Sequence, residues 1–183
     1  MAAHKDKLAK ARGDFPYTKR ETFTFEDGGK IFMDIMGDLE QSQRDILFVV
    51  PGLTSTSQSG YIRDITRQAH MDGDSKGYDV VVFNYRGLAG IDLYTPLLFC
   101  SNSYKDQLDP MRYIYEKYCK QTQRKCFAVG CSMGANILAN ILGYEGESSF
   151  ITAACVVQAP IKKWKCAKAI KNNFYGIYDK ALG

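Results

Sequence analysis

Apolar residues in this chain follow two periods, and the two alternate. Near the amino end, Thr22-Phe23-Thr24-Phe25 and Lys30-Ile31-Phe32-Met33-Asp34-Ile35 flank Asp27-Gly28-Gly29. Alternating runs on either side of a glycine turn predict a β-hairpin. From Asp45 the runs change character. Asp45 to Val50, Tyr78 to Tyr85, Lys125 to Val129 and Ala153 to Gln158 are short and nearly continuously apolar, which predicts strands buried on both faces. Between them the apolar positions take helical spacing. Tyr61, Ile62, Ile65 and Ala69 predict a helix from Ser57 to about Asp72. Leu108, Met111, Ile114, Tyr115 and Tyr118 predict a second, from Tyr104 to about Lys120, whose start Pro110 leaves open. Ile137 to Leu142 predicts a third. Strands and helices alternating in this way predict an α/β fold: a doubly wound, mostly parallel sheet with an antiparallel hairpin at its amino-terminal side.

Composition narrows the class. With 183 residues, 45% of them hydrophobic, the chain is expected to form one folded domain: a polar arm over residues 1–19, then the α/β domain over 20–183. A net charge of +4 is no nucleic-acid footprint, and no nucleic-acid partner is expected. There is no apolar run of about 18 residues for a membrane-spanning helix. Met1 to Lys7 leads into no apolar core of a secretory signal. Six cysteines, at 100, 119, 126, 131, 155 and 166, form no Cys-x-x-Cys pair, so reduced and mostly buried thiols are expected rather than disulfides or a metal site. The setting these features suggest is intracellular, cytoplasmic or peripheral on an internal membrane, with no cofactor.

The candidate chemistry lies at Gly130-Cys131-Ser132-Met133-Gly134. A Gly-x-Ser-x-Gly between a buried strand and a helix is the nucleophile-elbow pattern. The sharp turn lifts the Ser132 hydroxyl above the sheet. Gly130 and Gly134 remove side chains that would collide with the neighbouring strand and helix, and the Met133 amide at the helix start points where an oxyanion would form. Two plainer readings compete. Ser132 could be a helix N-cap, or the turn could bind a dinucleotide, although Ser132 stands where that fingerprint needs its second glycine.

Ligands of such sheets bind at the carboxyl ends of the strands. Pro51-Gly52-Leu53-Thr54 falls there. The Leu53 amide would be the second oxyanion donor, with Gly52 and Thr54 beside the substrate; the alternative is a simple strand-ending turn. Asn84-Tyr85-Arg86-Gly87 also falls there, and reads as a structural loop in which Arg86 satisfies carbonyls. A serine nucleophile needs a histidine base oriented by a carboxylate. His4 and His70, the two histidines, both precede Ser132 and read as surface residues; after Ser132 come only the carboxylates Glu145, Glu147 and Asp179. The order Ser, acid, His is not completed by these residues.

Val50-Pro51-Gly52-Leu53-Thr54-Ser55, Val82-Phe83-Asn84-Tyr85-Arg86-Gly87-Leu88-Ala89-Gly90, Thr95-Pro96 and Gly130-Cys131-Ser132-Met133-Gly134-Ala135-Asn136 together resemble the α/β-hydrolase superfamily. More narrowly, they resemble its abhydrolase-domain lineage of lipid esterases, phospholipases and bacterial esterases, from about Phe15 to the end. The resemblance implies a serine hydrolase of carboxylic esters, of acylglycerol or phospholipid type, with Ser132 as nucleophile and Leu53 and Met133 as oxyanion amides. It places the triad Asp and His beyond Gly183, so a domain lacking its carboxy-terminal third is expected. The alternative is a non-catalytic hydrolase-fold module that binds a partner or lipid. After Pro160, Ile161, Trp164, Ala167, Ile170, Phe174, Tyr178 and Ala181 recur at helical spacing beside Lys162, Lys163, Lys165, Lys168 and Lys171. Such a stretch is either a basic amphipathic helix touching a membrane surface or an ordinary covering helix with a solvated lysine face.

Overall fold

A computed structural model of the chain describes residues 15–71, 77–172, 177 and 180. Residues 1–14 of the expected arm, and Phe174, Tyr178 and Ala181 of the expected tail helix, lie outside them.

The sheet has six strands: β1 (Lys19–Thr24), β2 (Lys30–Met36), β3 (Ile46–Val50), β4 (Asp79–Phe83), β5 (Cys126–Cys131) and β6 (Ile151–Val157). Their spatial order is β1-β2-β4-β3-β5-β6. The expected hairpin, β1 with β2, is antiparallel, as is β2 with β4; β4, β3, β5 and β6 run parallel. Four helices are described: α1 (Gly60–His70), α2 (Lys105–Ile114), α3 (Met133–Glu145) and α4 (Lys163–Asn172). Pro110 lies inside α2, not at its start. A π-helical turn at Tyr115–Cys119 carries the segment on towards β5.

The continuous apolar runs of β3 and β4 split by the two-residue period of a strand. Phe48, Val50, Val81 and Phe83 face a large core with Met111 and Ile114 of α2 and Ile137, Leu138 and Ile141 of α3. Val49, Val80 and Val82 face the other way, onto Ile62 of α1. Burial on both faces is what the runs predicted, and it needs a helix on each side.

At β6 the same reasoning fails. Of its seven residues only Ile151 is buried, and Val156 and Val157 are 46% and 39% exposed. Among the described residues β6 is an edge strand, paired on one side only. An apolar run signals a capacity for burial; which elements arrive to cover it is a tertiary matter. Helix α4 likewise has no buried residue, with Trp164 68% exposed. The thiols also depart from expectation. All six are free, but only Cys119 and Cys126 are buried, while Cys100 and Cys155 are exposed.

Candidate active site

Three strand ends build the site: Val50 of β3 leads into Pro51, Phe83 of β4 into Asn84, and Cys131 of β5 into Ser132. Ser132 has φ +53° and ψ −116°, a conformation that costs a non-glycine residue on the order of 1–3 kcal/mol. The surroundings hold it there. The Ser132 N–H donates to the Val157 carbonyl of β6 at 2.8 Å, and the Asn136 N–H donates to the Ser132 carbonyl at 3.1 Å. The side chain is exposed. No side-chain cap hydrogen bond forms, so the N-cap reading of Ser132 is not what the geometry displays.

The two motif glycines permit this turn by close approach. A Cβ on Gly130 would lie 2.5 Å from the Gly134 carbonyl oxygen. One on Gly134 would lie 2.2 Å from the Val50 carbonyl oxygen and 2.4 Å from that of Pro51. The start of α3 therefore rests directly on the end of β3. Met133 is the first residue of α3, where a helix amide has no partner within its own helix.

The turn after β3 lies against the elbow. A Cβ on Gly52 would come within 3.4 Å of both the Ser132 Cβ and the Cys131 carbonyl oxygen. Leu53 is 43% exposed, Thr54 is exposed with φ +57°, and the Ser55 N–H closes the turn onto the Gly52 carbonyl at 3.1 Å. Among the described residues no acceptor takes the Leu53 N–H. The structure thus brings Gly52, at the head of the turn that continues through Leu53 and Thr54, against Ser132, which Met133 follows at the start of α3.

Among the described residues it brings no histidine to them. His4 is outside the described residues. His70 ends α1, half-buried, with Nδ1 2.9 Å from the Tyr78 carbonyl. Tyr78 precedes β4, so His70 sits at the amino ends of the parallel strands, opposite the elbow. There it lines a cavity of about 540 Å³ together with Asp38, Arg44 and Asp79. Glu145 is engaged by Arg112 at 2.6 Å. Among the described residues no three His, Cys, Asp or Glu side chains cluster as metal ligands.

Arg86 is structural, but its partners are two carboxylates and, at 3.3 Å, the Thr95 hydroxyl, not the expected carbonyls. Nε and Nη2 bind Asp106 at 2.8 and 2.9 Å, Nη1 binds Asp27 at 2.8 Å, and the guanidinium covers the Phe25 ring at 4.1 Å. It ties the loop after β4 to the hairpin turn and to the start of α2, and its guanidinium fills the space a side chain on Gly29 would need.

Sequence reasoning missed the supports beneath the turn. Asp34 of β2, 1% exposed, accepts from Ser57 Oγ at 2.5 Å, from Asn84 Nδ2 at 2.9 Å and from the Arg20 guanidinium at 2.6 and 2.9 Å. Asn84 Oδ1 in turn accepts the Ser57 N–H at 2.9 Å. A carboxylate inside an otherwise apolar strand was the available signal. The hydroxyl partners of two tyrosines were also not legible in the sequence. Tyr61, expected on the apolar face of α1, is 40% exposed and its hydroxyl accepts the Gly52 N–H at 2.8 Å. Tyr85, buried, donates to the Pro51 carbonyl at 2.5 Å. Burial, with Tyr61 and Cys131 nearby, pushes the Tyr85 phenol far above its ordinary range, so it stays a donor. Burial likewise pushes the Cys131 thiol up, with Cys155 adding to the effect.

No protein-family profile matches the chain. Phospholipase ABHD3 of Homo sapiens is 29% identical to it over 159 residues, which are 84% of this chain and 37% of that protein. Monoacylglycerol lipase of Saccharomyces cerevisiae is 31% identical over 143 residues, 76% of this chain and 30% of that protein. The chain therefore spans well under half the length of the curated relatives it matches. Among solved structures, an esterase of Pyrococcus furiosus superposes with a TM-score of 0.70 at 19% identity, over 91% of this chain and 60% of the esterase.

Proposed function

We infer that this chain, which has the α/β-hydrolase fold and is similar in sequence to the abhydrolase-domain lineage of lipid esterases, carries the nucleophile and oxyanion site of a serine hydrolase acting on lipid esters. One observation carries the reading: Ser132 is held at φ +53° between β5 and α3 with its side chain exposed. That geometry has a cost and serves no cap.

In the proposed reaction Ser132 Oγ attacks the ester carbonyl and forms a tetrahedral adduct. The Met133 and Leu53 amides stabilise its oxyanion, each donor worth about 3–4 kcal/mol in comparable sites. Collapse expels the alcohol and leaves an acyl-Ser132 ester, which water hydrolyses. The Ser132 proton needs a base. Val157 of β6 touches the elbow backbone, and among the described residues no strand pairs with the outer edge of β6, so we assign the base to a histidine packed along that edge. An acylglycerol or phospholipid substrate is proposed from the names of the relatives. No helix of the described residues is long and apolar enough to cross a membrane. Exposed Ile161 and Trp164 beside Lys162, Lys163 and Lys165 support peripheral contact with a lipid surface.

The test is labelling of the full natural gene product by a fluorophosphonate, with Ser132→Ala as the comparison. Labelling confined to the wild type, at the peptide that contains Ser132, is expected. Equal labelling of both proteins refutes Ser132 as nucleophile. Absence of labelling in both, with lipid binding retained, favours a non-catalytic module.

A further inference from the structure

The turn after β3 is gripped from two sides by tyrosine hydroxyls of different elements. From the end of β4, Tyr85 donates to the Pro51 carbonyl at 2.5 Å. From the second residue of α1, Tyr61 accepts the Gly52 N–H at 2.8 Å. A Cβ on Gly52 would lie 3.1 Å from the Tyr61 hydroxyl oxygen and 3.4 Å from the Ser132 Cβ. Tyr61, the turn and the nucleophile therefore crowd one small space.

Tyr61 does not reach this position through a buried ring, since it is 40% exposed. It is placed by its backbone. Ser57, three residues before α1, is fully buried and locked through both its amide and its hydroxyl to Asn84 and Asp34. The Tyr61–Gly52 bond then closes residues 52–61 into a ring anchored on buried polar groups.

We propose that Tyr61 is a positioning residue for catalysis: its hydroxyl takes up the Gly52 amide and so aims the Leu53 amide at the oxyanion of the Ser132 adduct. The geometry of one peptide plane makes the connection. The Gly52 carbonyl and the Leu53 N–H belong to the same rigid group and point in opposite directions. The Ser55 N–H holds the carbonyl from one side. Tyr61 holds the preceding amide, which stops the turn from rotating and removes Gly52 as a competing donor. The Leu53 N–H, with no acceptor among the described residues, is left for substrate. An oxyanion donor is effective only if it is oriented before charge develops.

This inference rests on the Ser132 reading above, and the experiment separates the two. Amide hydrogen exchange of Gly52 is measured in the wild type and in Tyr61→Phe, and kcat and KM for a p-nitrophenyl ester are measured on the full natural gene product carrying the same change. Gly52 should be protected in the wild type and should exchange about tenfold or more faster in the variant; kcat should fall about tenfold with KM unchanged, as expected for loss of one hydrogen bond that acts only on the transition state. An unprotected Gly52 in the wild type overturns the proposal without recourse to any variant, should Tyr61→Phe fail to fold. Equal protection in the two proteins overturns it as well. Lost protection with kcat unchanged, or with only KM altered, overturns the catalytic role. A wild type with no Ser132-dependent turnover refutes the Ser132 reading and with it the value of the tether to catalysis, while the exchange data still report whether the tether exists.

Discussion

Gly134 and Gly143 lie in the same helix, yet replacing each by alanine should move stability in opposite directions. Gly143 faces open space: a Cβ there meets nothing within 4 Å. Alanine at that site removes the helix penalty of glycine, for a gain of about 0.4–1 kcal/mol. At Gly134 the added Cβ would stand 2.2 Å from one backbone carbonyl oxygen and 2.4 Å from a second, where ordinary contact begins at 3.4 Å. The obstacles are backbone atoms at the end of β3, which no rotamer change can clear. The start of α3 must retreat by about 1 Å, and overpacking of this kind costs about 1–3 kcal/mol, with rigid neighbours favouring the upper end. For a chain of this size about 1 kcal/mol shifts Tm by roughly 2–4 °C. Gly143→Ala should therefore raise Tm by about 2 °C, and Gly134→Ala should lower it by about 6 °C or more. Urea titration with tyrosine fluorescence or circular dichroism measures both, with unchanged m-values confirming that the folded states are comparable. A Gly134→Ala protein within about 0.5 kcal/mol of the wild type would refute the claim that α3 rests on the β3 carbonyls, and with it the account of why the motif ends in glycine.

Two further outcomes follow from buried and exposed charge. Arg124 and Asp79, 2% and 1% exposed at the side chain, pair at 2.6 Å, and Arg124 also donates to the carbonyls of Arg44 and Leu39. Arg124→Met should cost about 3–5 kcal/mol by stranding a buried carboxylate, and adding Asp79→Leu should recover much of it; a single variant that unfolds at the wild-type urea midpoint contradicts this. The Gly29 amide, followed by the Arg86 guanidinium, holds the Asp27 carboxyl below its usual range. The folded state then binds that proton more weakly than the unfolded chain, so the contribution is complete above the ordinary aspartate pKa of about 4 and is lost as pH falls through and below it. Asp27→Asn should flatten the acid limb of a Tm-against-pH curve, and an acid limb as steep as that of the wild type would rule this out.

Local patterning read well wherever one element's chemistry decided the outcome. The hairpin turn at Asp27-Gly28-Gly29, the parallel strand ending at Val50, the next one (expected to reach Tyr85 and ending at Phe83) and the strand–Ser–helix elbow were all visible because a two-residue or 3.6-residue period, or a glycine without a substitute, leaves its mark over five to ten neighbouring residues. Arg86 was visible as structural but not by partner, because Asp27 and Asp106 lie 59 and 20 residues from it. The Asp34–Ser57–Asn84 network spans up to 50 residues and left only one trace, a carboxylate within an apolar strand. Tyr61 was misjudged for a related reason: helical spacing reports which face a residue shares, not what its hydroxyl reaches.

By itself, then, the sequence determined the alternation of elements, the place of the nucleophile candidate and the need for small residues around it, since these depend on backbone sterics and hydrophobic period, which act within a short stretch. Tertiary structure alone decided that β6 has, among the described residues, an unpaired side, that His70 stands at the far end of the sheet from Ser132, and that two tyrosine hydroxyls hold the turn beside the elbow. Those are relations between elements distant along the chain. They depend on how strands are ordered in the sheet and on which groups the packed helices carry to its edges, and no local period encodes either.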